Sequence, residues 1–200
     1  MAAVSALAVL RDDVAASGVT LPAADWARIA AQLTEARYPG GAVIFSQGRI
    51  ADRWLFVARG IAASEQSSSD GGATIARFFE PGQVCANVTS AWRQDFASDD
   101  LIAMTPLDGV LLPDPVLRHE YLRGGAFGEY LRLKVMETLL FDKDLLCAKT
   151  STDTAVRFRF LHDRYSEVVQ RVPQKDLSRF LGVTPQGLSR FLRSGRWKVD

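Results

Sequence analysis

Two side chains near the C-terminus, Gln186 and Arg190, carry the chemistry needed to read base edges. They stand four residues apart, so a helix would present both on one face. Glutamine can hold adenine and arginine can hold guanine, each through two hydrogen bonds in the major groove. Ser189 is a lesser candidate on the neighbouring edge. Around them, Lys175, Arg179, Thr184, Arg193 and Arg196 suit phosphate oxygens, which fix position without reporting sequence. Between Arg171 and Lys198 seven basic residues face a single acid, Asp176, although the whole chain holds 24 basic and 23 acidic residues. The body is therefore net acidic and the end basic, a distribution that suits a polyanion. On charge alone a solvated basic tail reads equally well, and the apolar spacing has to decide.

That spacing is specific. In the segment from Gln174 to Arg193, Leu177, Leu181, Val183, Leu188 and Phe191 fall where two crossed helices bury side chains. Ser178 is small where the helices approach, and Gly182 sits where the turn needs a left-handed backbone. Thr184 is a helix cap and Pro185 a first helical residue. Together they predict a helix-turn-helix whose second helix enters the major groove. The alternative is an αα-hairpin used only for packing.

Other chemistries find little support. The Asp99-Asp100 pair reads as solvated loop charge, and neither His119 nor His162 has a Cys or carboxylate at ligand spacing. No GxxxxGK[ST] phosphate loop is present. The two cysteines, Cys85 and Cys147, lie far apart without a CxxC, which argues against a disulfide framework or iron–sulfur site and fits a reducing compartment. The expectation is therefore no enzyme, no metal and no resident cofactor. The apolar stretch from Ala2 to Leu10 is too short to span a bilayer, lacks a basic leader and runs into Arg11-Asp12-Asp13. It reads as part of an N-terminal helix of a cytoplasmic protein with no membrane partner.

The elements that must position these residues follow from the apolar pattern. Residues 4–37 read as helical, with Pro22 opening a second helix at Ala23 or Ala24. From Tyr38 to Leu112 short apolar runs alternate with turns: Ala42 to Phe45, Trp54 to Ala58, Ile61 to Gln66, Thr74 to Phe79, Leu101 to Met104 and Val110 to Leu112. The Ser67-to-Gly72 stretch is a hairpin loop, and the set predicts an antiparallel sandwich or roll. Helices resume at Asp114-Pro115, and a long helix should run from Gly124-Gly125 to about Lys149. Nine of the sixteen residues from Leu131 to Leu146 are apolar, more than one stripe, so both faces need cover: the helix's own roll and a second copy of the chain. A helix buried within one subunit is the alternative. Leu131, Val135, Thr138, Phe141 and Leu145 are the expected dimer contacts. Ser151-Thr152-Asp153 then caps a further helix. The fold class is α+β in three parts: residues 1–122 as an antiparallel β-roll with N-terminal helices, 123–149 as a long dimerisation helix, and 150–200 as the helix-turn-helix domain.

A glycine-punctuated roll, a long helix and a terminal helix-turn-helix in this order resemble the cyclic-AMP receptor/FNR (Crp/Fnr) family of bacterial regulators. The resemblance is carried by Gly41-Ala-Val-Ile-Phe-Ser-Gln-Gly48, Ala51-Asp52, Leu55-Phe56-Val57, Gly60 and Phe79-Glu-Pro-Gly82 in the roll, and by Gly182-Val-Thr-Pro-Gln-Gly-Leu-Ser-Arg190. It implies a roll that binds an effector, a dimer paired through the long helix, and a pseudo-palindromic DNA site. Double-stranded DNA, a second copy of the chain and RNA polymerase are the partners it implies.

The departures are as informative. Cyclic-nucleotide binders of the family carry a Gly-Glu pair for the ribose and an Arg-Ser pair for the phosphate after the Pro-Gly turn. An ungapped match puts Ala86-Asn87 and Ala97-Ser98 there, so the Glu has become Asn and the Arg has become Ala. On the long helix the adenine-contacting pair matches Asp142-Lys143. The effector pocket implied by resemblance is Gly82, Asn87, Ser98, Asp142 and Lys143, with weak or no cyclic-AMP binding expected. Two cysteines and two histidines lend no support to iron–sulfur or haem sensing. Family members also continue into a β-hairpin wing, whereas only Ser194 to Asp200 follow here, so the wing is expected to be absent or vestigial. Three readings remain: a regulator with an unidentified effector or a purely structural roll, a cyclic-nucleotide switch using backbone NH groups and Ser98, and an interaction module with a degenerate DNA-binding domain.

Overall fold

A computed structural model describes residues 4–67 and 72–195. The tip of the expected Ser67-to-Gly72 loop, and Arg196 with the rest of the basic tail, lie outside the described residues.

Ser5 caps α1 (Ala6–Ala16), which buries Leu10 and Val14, and Pro22 precedes α2 (Ala23–Ala30). The expected helical stretch ends sooner than the sequence suggests, because Thr34–Tyr38 is strand β1. Glu35-Ala36-Arg37 favour a helix locally. The strand wins because it pairs in continuous antiparallel register from Thr34↔Leu111 to Tyr38↔Leu107. Glu35 is also held at the other end, accepting from the Ser5 hydroxyl at 2.6 Å and the Leu7 amide at 2.8 Å.

The remaining strands are β2 (Val43–Phe45), β3 (Arg53–Arg59), β4 (Ala62–Ser67), β5 (Ala73–Phe79), β6 (Val84–Cys85), β7 (Asp100–Ala103) and β8 (Leu107–Pro113), with a short helix α3 (Val88–Arg93) between β6 and β7. They form two four-stranded sheets, ordered β1-β8-β3-β6 and β2-β7-β4-β5, the expected antiparallel roll. β6 escaped the sequence reading because two residues leave no periodicity.

Behind the roll, α4 (Asp114–Arg123) begins at Asp114, one residue before Pro115, with Pro113 at the N-cap position. Asp114 is buried, accepting from the Trp54 indole at 3.0 Å and from Arg118 at 2.7 Å. α5 (Gly125–Thr150) is 26 residues long. At Gly128 the backbones of α4 and α5 are so close that a Cβ would stand 2.4 Å from the Glu120 carbonyl oxygen. Four helices follow: α6 (Thr154–Arg164), α7 (Ser166–Arg171), α8 (Gln174–Leu181) and α9 (Pro185–Arg193). Asp153 caps α6 through the Ala155 amide at 2.8 Å, as the sequence predicts.

Three apolar cores hold these layers together. One joins the N-terminal helices, the β3–β8 side of the roll and the start of α5, and one fills the roll interior around Leu55, Val57, Cys85 and Leu107. The third combines Ile61, Ala63, Ile75 and Phe78 of the roll with buried residues of α5, α6, α7, α8 and α9. The C-terminal helices are therefore packed on the roll. A methyl group at Gly128 must push α4 and α5 apart, so Gly128→Ala is expected to cost about 1–3 kcal/mol and lower the thermal midpoint, read by calorimetry.

Candidate nucleic-acid interface and roll cavity

The two helices and the turn that the spacing predicts are present as α8 and α9. Leu177, Leu181 and Leu188 are buried, and Val183 and Phe191 pack against the same core. Ser178 is buried, and its hydroxyl donates to the Lys175 carbonyl at 2.6 Å. Gly182 ends α8 at φ 66°, the left-handed value its type favours. Thr184 caps α9 by accepting from the Gly187 amide at 3.0 Å.

This packing turns one face of α9 inward and leaves the other in solvent. Gln186, Arg190 and Arg193 are exposed, Ser189 is half-buried beside them, and Lys175 is exposed at the start of α8. Among the described residues, Lys175, Arg190 and Arg193 have no ion-pair partner. Thr184 caps the positive N-terminal end of α9, while Arg190 and Arg193 stand in its last turn, where cations complement the helix dipole.

Arg179 has another partner. Its Nε donates to the Ala73 carbonyl at 3.0 Å, and its guanidinium pairs with Glu65 on β4 and with Asp176 at 3.1 Å. The side chain expected at a phosphate is a clamp between α8 and the roll. Phe180, beside it, packs its ring 5.2 Å from Phe78 and 5.8 Å from Tyr165. Lys149 at the end of α5 lies beneath Phe180, 4.2 Å from the ring centroid, and donates to the Ile75 carbonyl at 2.7 Å. Burial pushes the Lys149 ammonium down to about 8. From the roll, Glu80 accepts the Glu167 and Val168 amides at 2.9 and 3.1 Å, satisfying donors at the start of α7. Desolvation raises the Glu80 carboxyl above its ordinary value.

On α5 the structure corrects which face is free. Leu131 and Leu145 are buried in the subunit's own cores, Phe141 packs against the third core, and Thr138 is half-buried. Of the five expected dimer contacts, Val135 alone is exposed, at 46%. The free apolar stripe is instead Leu133, Met136, Leu139, Leu140 and Leu146, between 40% and 64% exposed. With two apolar stripes on one helix, spacing cannot tell which one the roll takes.

A cavity of about 720 Å³ lies between the roll and α5. Asn87, Ser98 and Asp142 line it, as the resemblance implies. Gly82 and Lys143 do not: the Gly82 amide donates to the Val57 carbonyl at 2.9 Å, and Lys143 is exposed on the solvent side of α5. Two groups that the sequence did not single out for this site dominate it. Asp99, expected to be solvated, lines the cavity and accepts from Ser64, from the Asn87 amide and from Ser98 at 3.0 Å. Arg77 is buried to 9% exposure, pairs with Asp142, and lies 4.7 Å from the ring centroids of both Phe79 and Phe141. Its Nε has no hydrogen-bond partner. Arg77 was invisible in sequence because its partners lie up to 65 residues away. Among the described residues no group of three His, Cys, Asp or Glu side chains could hold a metal, and no helix is long and apolar enough to cross a membrane.

Residues 35–129 match the cyclic nucleotide-binding domain family. No curated protein matches this chain in sequence. Among solved structures, FixK2 from Bradyrhizobium japonicum superposes with a TM-score of 0.67 at 17% identity, over 82% of this chain and 84% of its own. A protein from Eubacterium rectale, described as a transcriptional regulator of the crp/fnr family, gives 0.65 at 16% identity over 90% and 88%. The c-di-GMP responsive global regulator CLP of Xanthomonas campestris gives 0.61 at 19% identity over 86% and 91%. At these identities the likeness is one of fold, and the fold is that of Crp/Fnr-type regulators.

The pH dependence of the packed state follows from Lys149. Its folded value of about 8 lies below the ordinary 10.5, so between those values the unfolded chain holds a proton that the folded chain has released. Stability therefore rises with pH across that window and carries no Lys149 contribution to its slope below it, where both states are protonated. Thermal midpoints measured from pH 7 to 10 should show this rise, and Lys149→Met should flatten it.

Proposed function

We propose that the chain is a sequence-specific DNA-binding transcription regulator that acts as a homodimer on an inverted-repeat site. The observation that carries the reading is α9: a capped, half-buried helix whose outer face offers Gln186 and Arg190 to base edges, with Ser189 between them. Lys175 and Arg193 then serve phosphates, joined by Arg196 and by the Thr184 hydroxyl, while Arg179 stays with Glu65 in the docked conformation. DNA is the partner, the cytoplasm the compartment where the chain meets it, and RNA polymerase the further partner that transcription control requires. The chemistry proposed is binding, with no catalytic step.

The free stripe of α5 supports the dimer. Leu133, Met136 and Leu140 follow one another at helical spacing, while Leu139 and Leu146 border the roll cavity. Fully burying a leucine or methionine contributes about 1.5–3 kcal/mol, so Leu133, Met136 and Leu140 on each of two helices favour pairing. A two-fold axis along α5 would set the two copies of α9 roughly 34 Å apart, one turn of DNA.

A second reading, a cyclic-nucleotide switch, has the domain match over residues 35–129 in its favour. Against it stand Ala97 where the family places a phosphate-binding Arg and a carboxylate, Asp99, within hydrogen-bond distance of Ser98.

DNA selected from a random pool by the intact protein should enrich an inverted repeat, and Arg190→Ala should abolish that enrichment. Sequence-blind retention by both proteins would contradict base reading. Leu140→Glu places a charge in the proposed seam and should convert a dimer to a monomer in sedimentation velocity. An unchanged dimer would move the interface elsewhere.

A further inference from the structure

We propose that the roll cavity binds an uncharged, mainly apolar molecule bearing a hydrogen-bond acceptor, and that Asp99 bars nucleotides from it. This deepens the regulator reading by naming an effector class, but its readout needs no DNA, so either can fail alone.

The walls set the body of the ligand. Phe45, Phe79 and Leu101 from the roll face Val135, Leu139 and Leu146 from α5 across the cavity. Its volume of about 720 Å³ lies within the roughly 300–1,000 Å³ of pockets that hold drug-sized molecules.

The charges set what the ligand cannot be. Ser64, Asn87 and Ser98 are donors that would greet an entering phosphate, and all three already point their hydrogens at the Asp99 carboxylate. A resident anion therefore occupies the donors, and a second anion beside it would meet repulsion unless a free cation offset it. Of the cations that line the cavity, Arg118 pairs with Asp114, Lys134 pairs with Asp13 and Glu137, and Lys149 is held at the Ile75 carbonyl and the Phe180 ring. Arg77 does not supply that cation, because Asp142 neutralises it and the rings of Phe79 and Phe141 enclose it. A ligand cation would find Asp99 satisfied by three donors, Asp142 paired with Arg77 and Asp114 paired with Arg118.

One polar demand remains open. The Arg77 Nε–H is buried without a partner in a residue that lines the cavity. Such a group is costly to leave unmade, so a carbonyl, ether or hydroxyl oxygen that reaches it gains a charge-assisted hydrogen bond.

The test uses the full-length protein and the uncharged naphthyl ketone dye prodan, whose emission shifts to the blue in apolar surroundings. Saturable blue-shifted binding at one dye per chain is expected, with millimolar cyclic AMP leaving it in place. Thr138→Trp, which fills the cavity from α5, should weaken binding by about tenfold or more. Arg77→Met should weaken prodan by about tenfold through loss of one hydrogen bond, yet leave N-phenylnaphthylamine, which has no carbonyl, within about twofold. Circular dichroism on each variant shows that it folds. Competitive displacement by cyclic AMP, or wild-type prodan binding by folded Thr138→Trp, would overturn the proposal. Equal loss of both dyes in Arg77→Met would remove the acceptor from the ligand class.

Discussion

Phe78 on β5 is completely buried, and its ring meets Tyr165 from the end of α6 at 5.8 Å and Phe180 of α8 at 5.2 Å. These three aromatics tie the helix-turn-helix to the roll, and the polar contacts around them reinforce the same junction. Arg179 is clamped by Glu65 and the Ala73 carbonyl, Lys149 reaches the Ile75 carbonyl under Phe180, and Glu80 receives two amides of α7. Aromatic pairs in such geometries contribute about 0.5–1.5 kcal/mol each beyond their buried area. The orientation of α9 relative to the roll therefore depends on β5, with Glu65 of β4 and Glu80 holding the same junction.

That strand also floors the cavity. Arg77 and Phe78 are consecutive, and consecutive residues on a strand point to opposite faces. Arg77 turns to the cavity and to Asp142 on α5, while Phe78 turns to the helices that carry Gln186 and Arg190. A molecule that displaced the Arg77–Asp142 contact would act within one residue of the anchor for the unit proposed to read DNA, and on the helix whose outer stripe is proposed to pair two subunits. Linkage of this kind requires two states with different affinity for the ligand, and this junction is where they would differ.

The sequence revealed what is encoded locally. Gly182, Thr184 and Pro185 specify a turn and a cap within four residues, so the helix-turn-helix was readable in full. The roll was legible from glycine-bounded apolar runs, and α5 from its length. What stayed hidden depends on distant partners. β1 looks helical until β8 pairs with it, and Asp99 looks solvated until Ser64 and Asn87 reach it. Arg179 looks like a phosphate ligand until Glu65 claims it. The two stripes of α5 were both visible, but their assignment to roll and partner came out reversed at Leu131 and Leu145.

The claim that roll and helix-turn-helix share one core is tested most directly by hydrogen exchange on Phe78→Leu. The substitution lies on β5, more than ninety residues before α8. If the shared core governs both units, amides of Leu177 to Leu181 should exchange faster in the variant, together with those of β5. Unchanged protection of α8 beside a loosened β5 would contradict the account and make the two units independent.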